Sequence, residues 1–351
     1  MAKALTKITH EPQIDYLKMP NKVKLRLLGH IFIEHPRLKK LIRQIGHCHE
    51  YSKVDEDLDP EGMVIKGVAG VGKSKLISRY AEKFPRREEA DRTIVPVLIV
   101  TIPQSATVKS LVSELLDALG DPFPDCGSAP NQTRRLRKLI KECGVEMIIA
   151  DEFQHFIDRD SDRVLHDVSD WLKVLMDRTK KPIILIGMPH CDKILEANEQ
   201  LKRRFTLRES IEPFGWKAAK QQDDFRELLR QIDGKLPFNQ RSNLADPETA
   251  FRIYYATGGV IAYVMKLIRR AAILAIRQSL EKLNIDTLAY AFDKDLSKTF
   301  PRKENPFRVD DLSLLEIAPQ ERRHEVPGAT SHRVKAKKAQ LKASEVLVRR
   351  G

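Results

Sequence analysis

The sequence predicts an α/β fold: a five-stranded parallel sheet carrying a phosphate-binding loop, followed by a helical lid and a flexible basic tail. Three observations predict it. The run Gly67-Val68-Ala69-Gly70-Val71-Gly72-Lys73-Ser74 fits G-x-x-x-x-G-K-[ST], between a short apolar run at 63–65 and a helical stripe of Leu76, Ile77 and Tyr80. From residue 63 to about 213, apolar runs alternate with amphipathic stripes, the pattern of strands covered by helices. The third apolar run ends in two acids, Asp151-Glu152.

Residues 1–60 read as an N-terminal extension with at least one helix. Pro36 suits a first helical turn, and Leu38, Leu41, Ile42 and Ile45 make one apolar stripe. His47-Cys48-His49 has no second cluster to complete a metal site and reads as a helix end. After an acidic turn at 55–62 comes the first strand and its loop. The glycines let backbone N–H groups turn inward around phosphates. Lys73 then reaches the β- and γ-phosphates, Ser74 offers its hydroxyl to Mg²⁺, and Lys75 continues the helix start. The ligand expected on 67–75 is a nucleoside triphosphate with Mg²⁺.

Residues 95–101 (VPVLIVT) form the second strand, apolar throughout as a doubly covered sheet demands. Leu111, Leu115 and Leu119 share one face of a helix over 110–119. A Pro- and Gly-rich loop follows over 120–130. The next helix is expected to start at Thr133, with Leu136, Leu139 and Ile140 inward and Arg134, Arg135, Arg137 and Lys138 outward. The third strand, 146–150, places Asp151 for the metal shell and Glu152 to orient and deprotonate the attacking water. A helix bearing Val164, Val168, Trp171, Leu172 and Leu175 leads to the fourth strand, 182–187. That strand ends in Gly187-Met188-Pro189-His190, which reads as a turn. The pair Arg203-Arg204 precedes the fifth strand, 206–211, in position to serve a neighbouring subunit's nucleotide as an arginine finger.

The remainder is helical to about 299. Phe225, Leu228, Leu229 and Ile232 mark one helix; Asp246-Pro247-Glu248 starts another that Gly258-Gly259 closes. Ile261, Val264, Leu267, Ile268 and Ala271 line the third, and 285–296 the fourth. Beyond Phe300-Pro301 prolines punctuate a polar stretch ending in a basic run at 332–342, read as a flexible arm. The expected units are therefore 1–60, 61–213, 214–299 and 300–351.

The net charge is +13, and residues 321–351 hold nine Lys/Arg against three Glu, leaving +7 on the rest. A basic surplus on both body and tail points to a polyanionic partner, most often nucleic acid. No apolar run is long enough for a bilayer, and the N-terminus lacks a signal-type apolar core. The four cysteines form no C-x-x-C pair, which implies reduced thiols and a cytoplasmic location.

Taken together, the phosphate loop, the acid pair, the late arginine and the helical lid resemble an AAA+ module. Asp151-Glu152-Phe153-Gln154-His155, Asn198-x-Gln200-Leu201-x-Arg203-Arg204-Phe205 and the Gly-x-Pro after the fourth strand narrow this. They resemble the TniB/TnsC family of DNA-transposition regulators, over about residues 20–290. The resemblance implies a bacterial, nucleoid-associated ATPase that assembles on double-stranded DNA as a ring or helical filament. It implies recruitment of a transposase, a target-selection partner that in some systems is RNA-guided, and slow regulatory ATP hydrolysis that dismantles the assembly. On this resemblance Lys109, just after Thr107, and Thr133-Arg134-Arg135 are nominated for DNA phosphates. Two habits of related ATPases are missing: a polar residue ending the fourth strand, and an arginine at the lid-helix start 258–262. A replication-initiator or loader ATPase, usually extended by a winged-helix domain, and a nucleotide-switched signalling scaffold are the competing readings. Kinase and GTPase readings lack an acceptor site or a guanine-specificity motif.

Overall fold

A computed structural model describes residues 15–54, 58–104, 106–157, 162–196, 198–300 and 304–312. The basic run at 332–342 lies outside them. Five parallel strands form the sheet in the order β4-β5-β6-β1-β7: β1 (Met63–Gly67), β4 (Val97–Thr101), β5 (Met147–Asp151), β6 (Ile183–Gly187) and β7 (Leu207–Ile211). A separate two-residue antiparallel pair, β2 (Arg87–Glu88) and β3 (Thr93–Ile94), lies between the first two of these in sequence.

Every residue of β5 and β6 is buried, which is why both read as unbroken apolar runs. The edge strand β7 instead alternates, with Arg208 and Ser210 exposed. One sheet face packs on α4 (Val108–Leu119), α5 (Ala129–Glu142) and α6 (Asp162–Thr179), through Leu111, Leu115, Leu136, Val168 and Leu172 among others. Two short helices, α7 (Lys193–Glu196) and α8 (Glu199–Arg204), join this layer. The other face packs on α2 (Pro36–Val54) and α3 (Lys73–Ala81), through Leu38, Ile45, Leu76 and Tyr80.

The helical lid has its own core, built by α9 (Ala219–Lys235), α10 (Pro247–Thr257), α11 (Ile261–Arg277) and α12 (Ile285–Asp295). The N-terminal α1 (Asn21–Gly29) belongs to it as well, because Leu28, Ile31 and Ile33 are buried there. The chain therefore passes between lid and sheet twice, just before α2 and again at Phe214. Those crossings meet: the Arg37 guanidinium lies 5.0 Å over the Phe214 ring and pairs with Asp224 of α9 at 3.3 Å.

Four expectations need correction. The helix expected to begin at Thr133 begins at Ala129, because Pro130 sits in its first turn, where no N–H is required. Asp246 occupies the N-cap of α10 but makes no side-chain capping bond. Part of the segment read as a free arm is packed: Phe307 is buried in the lid core, and Arg252 donates to the carbonyl oxygens of Pro306 and Val309 (2.6 Å to the latter). Residues 47–49, read as a helix end, lie inside α2, which continues to Val54; His49 is a packed core histidine, hydrogen-bonded to the Tyr80 hydroxyl at 2.8 Å and Glu146 at 2.9 Å. Among the described residues no cluster of three metal-ligating side chains occurs, and no helix is long and apolar enough to cross a membrane.

Candidate nucleotide site

The loop between β1 and α3 has the backbone its glycines permit. Gly70 and Gly72 hold φ of 81° and 107°, in the left-handed region where a side chain is strained. Gly72 is the N-cap of α3, so the free N–H groups of that helix's first turn open towards the loop. At Gly67 a Cβ would stand 2.8 Å from the Ile211 carbonyl oxygen, which brings the loop's first residue tight against β7.

Lys73 is 7% exposed, and its ammonium donates to the Gly67 carbonyl at 2.8 Å and to that of Val68 at 3.3 Å. Burial pushes its pKa down, while Glu152 and Asp151 pull it back up. Asp151 ends β5, also 7% exposed, with its pKa raised chiefly by burial; the Ser74 hydroxyl hydrogen-bonds to it. A buried carboxylate joined to a serine hydroxyl, beside a phosphate loop, is an oxygen donor set suited to a hard divalent cation. A cation's charge would also offset the desolvation that penalises this carboxylate. Glu152 follows with φ 56°, an unfavourable conformation for a non-glycine residue costing on the order of 1 kcal/mol. Its amide donates to Asp151 Oδ1 at 2.9 Å, and its carboxylate accepts from the Gln154 side-chain amide. His155 Nδ1 meets the Ile102 carbonyl oxygen at 2.8 Å, tying this turn to the segment after β4.

The lid closes over the loop with apolar residues. The Ala262 amide donates to Gly70 O at 3.0 Å, and Val260 and Ile261 stand beside Gly70 and Gly72. Three cations of α11 are engaged elsewhere: Lys266 and Arg270 bind Asp295, and Arg269 reaches the Gly29 and Ile31 carbonyl oxygens.

The two late arginines separate. Arg204 pairs with Asp177 at 2.6 Å and Asp59 at 3.3 Å, and its carbonyl accepts from the Gly62 amide at 2.7 Å. Arg203 is exposed and makes no ion pair among the described residues. The residues nominated for DNA divide likewise. Thr107 caps α4, its hydroxyl accepting from the Ser110 amide at 3.2 Å. Thr133 accepts from the Trp171 indole at 3.2 Å. Arg135 binds Asp121 at 2.5 Å and the carbonyls of Phe123 and Cys126, bracing the loop before α5. Only Lys109 and Arg134 of the five are exposed. The sequence motif at 151–155 includes Gln154 but gives it no role; it is a polar residue set between Phe153 and Phe156, which are both fully buried.

A family model described as bacterial TniB protein matches residues 26–218. No protein with a curated description matches the chain. Several solved structures share the fold. Orc1 of Aeropyrum pernix, in complex with DNA, is 15% identical with a TM-score of 0.50, over 77% of this chain and 69% of that one. Cdc6p of Pyrobaculum aerophilum is 11% identical with a TM-score of 0.54, over 80% and 74%. Orc2 of Aeropyrum pernix, with ADPNP and ADP, is 14% identical with a TM-score of 0.52, over 77% and 71%. At such identities the likeness is one of fold, the AAA+ fold.

Proposed function

The chain belongs to the TniB family of bacterial proteins, and on that premise we propose that it is an ATP-dependent, DNA-binding regulator of transposition. Its nucleotide works as an assembly switch. Residues 67–75 wrap the phosphates, with Lys73 on the β- and γ-phosphates. Ser74 and Asp151 would hold Mg²⁺, which neutralises developing charge on the phosphate oxygens. Glu152 takes the proton of the attacking water. Arg203, exposed beside the engaged Arg204, reaches the nucleotide of the next subunit. The observation that carries this reading is the convergence of Lys73, Ser74, Asp151 and Glu152 at the carboxyl ends of β1 and β5.

The DNA contacts are Lys109 and Arg134, both exposed and both directed to phosphates, so binding is sensitive to salt and tolerant of sequence. ATP-bound subunits assemble on double-stranded DNA as a ring or filament and recruit the transposase, at a place set by a target-selection protein. Slow hydrolysis releases them. Titrating labelled duplex DNA with the chain tests the reading. Tight binding is expected with a slowly hydrolysed ATP analogue and not with ADP, and Lys73→Ala should abolish the difference. Binding indifferent to nucleotide and to Lys73 would refute it.

A further inference from the structure

Gln154 lies two residues beyond Glu152, in the 3-10 turn Phe153–Phe156, and is 5% exposed. Its Oε1 accepts from the Met188 amide at 3.0 Å, and its Nε2 donates to Glu152 Oε2. The backbone donor decides which way the side-chain amide faces. An N–H is met by oxygen, so the NH₂ group is turned to Glu152. A carboxylate oxygen accepts, so this donation holds one Glu152 oxygen against the turn and fixes which way the carboxylate faces.

The neighbouring strand is shaped to the same contact. A Cβ at Gly187 would stand 2.9 Å from Gln154 Oε1, 3.0 Å from the Cys191 Cβ and 3.3 Å from the Gln154 backbone nitrogen. Beyond it, the Met188 sulfur lies 4.0 Å from Lys73 Nζ. Strand β6 ends without a short polar side chain of its own. The Gln154 side chain instead binds its backbone there and connects the turn beside the phosphate-binding lysine to the catalytic base.

We propose that Gln154 is a positioning residue for ATP hydrolysis, clamping the Glu152 carboxylate to the turn at Met188 so that this turn sets where water is activated. The proposal rests on the ATPase reading above. A carboxylate on a flexible stem is an effective base only when held within reach of the water, and loss of such positioning lowers turnover with little effect on ground-state binding.

Two variants break the clamp from opposite sides. Gln154→Leu keeps the bulk and removes both hydrogen bonds; Gly187→Ala keeps the glutamine and displaces its oxygen. Each is expected to lower kcat by about tenfold or more with KM and nucleotide affinity within about twofold of wild type. The double variant should be no slower than the slower single one, because both act through one contact. Without nucleotide, the Gln154 carboxamide signal in NMR spectra should shift in Glu152→Ala and in Gly187→Ala. Unchanged or raised kcat in both single variants, or a carboxamide signal indifferent to Glu152→Ala, overturns the proposal. A wild-type chain that hydrolyses no ATP removes the ATPase reading and this proposal together. A wild type that turns over no faster than the two variants removes the proposal alone.

Discussion

The Phe214 amide donates to the Gly259 carbonyl at 2.9 Å, and a Cβ at 259 would stand only 2.1 Å from the Phe214 carbonyl oxygen. This close approach joins the segment leaving the sheet to the turn that starts α11, whose first residues touch the phosphate loop. Gly259 also holds φ of 69°. Gly259→Ala therefore meets both backbone strain and a backbone clash. It is expected to cost about 2–4 kcal/mol of stability and to weaken nucleotide binding, read by urea unfolding and nucleotide titration. An alanine variant as stable as wild type would show that the crossing yields freely.

Arg203 and Arg204 are neighbours in different surroundings, the first exposed and the second paired. Arg204 is 19% exposed in its pairs with Asp177 and Asp59. Its loss should destabilise the fold by about 1–2 kcal/mol, since the partly sheltered Asp177 loses its ion-pair partner while the exposed Asp59 keeps Lys180. Arg203→Ala should leave stability within about 0.5 kcal/mol and lower assembly-dependent ATP turnover by about tenfold or more. Thermal unfolding beside turnover at high and low protein concentration separates the two roles. The reverse assignment predicts the reverse pattern.

His35 gives the chain a stability that depends on pH. The ring is 6% exposed, edge-on to Phe214 at 5.3 Å, with Nδ1 accepting from the Leu38 amide at 3.4 Å. Burial first, and the Arg37 charge second, push its pKa from 6.5 down to about 4. Between those values the unfolded chain binds a proton that the native chain does not. Stability therefore falls as pH drops through this window, by about 3 kcal/mol from this group in all. Denaturant titrations from pH 7 to pH 4.5 should show that slope reduced in His35→Asn, and an unchanged slope would remove His35 as its source.

DNA affinity should respond to the exposed cations and not to the braced one. Lys109→Ala and Arg134→Ala are each expected to weaken binding uniformly across sequences and to reduce the slope of log K against log salt by about 1. Arg135→Ala should act first on stability, because its guanidinium holds Asp121 and two loop carbonyls. Salt slopes unchanged for Lys109 and Arg134 would move the DNA surface elsewhere.

The strands and the phosphate loop were legible because local chemistry dictates them. Runs such as Met147–Asp151 are buried on both faces, and only glycine tolerates the backbone at 70 and 72. Less was legible where long-range contacts decide. Nothing local says that Arg204 meets Asp59 and Asp177 while Arg203 does not, or that Ile33 packs in the lid while Leu38 packs under the sheet. Pro130 reads equally as loop and as first helical turn, so the start of α5 was placed four residues late. Gln154 could have been suspected, as an amide between two phenylalanines beside an acid pair, but its partner Met188 lies 34 residues on, in the turn after β6.

On the proposed function, ATP on residues 67–75 switches assembly on DNA. Electron microscopy of the chain with long duplex DNA, comparing a slowly hydrolysed ATP analogue with ADP, tests it most directly. Rings or filaments with the analogue, bare DNA with ADP, and bare DNA for Lys73→Ala under both conditions are the predicted result. Assemblies in both nucleotide states, or in neither, would contradict it.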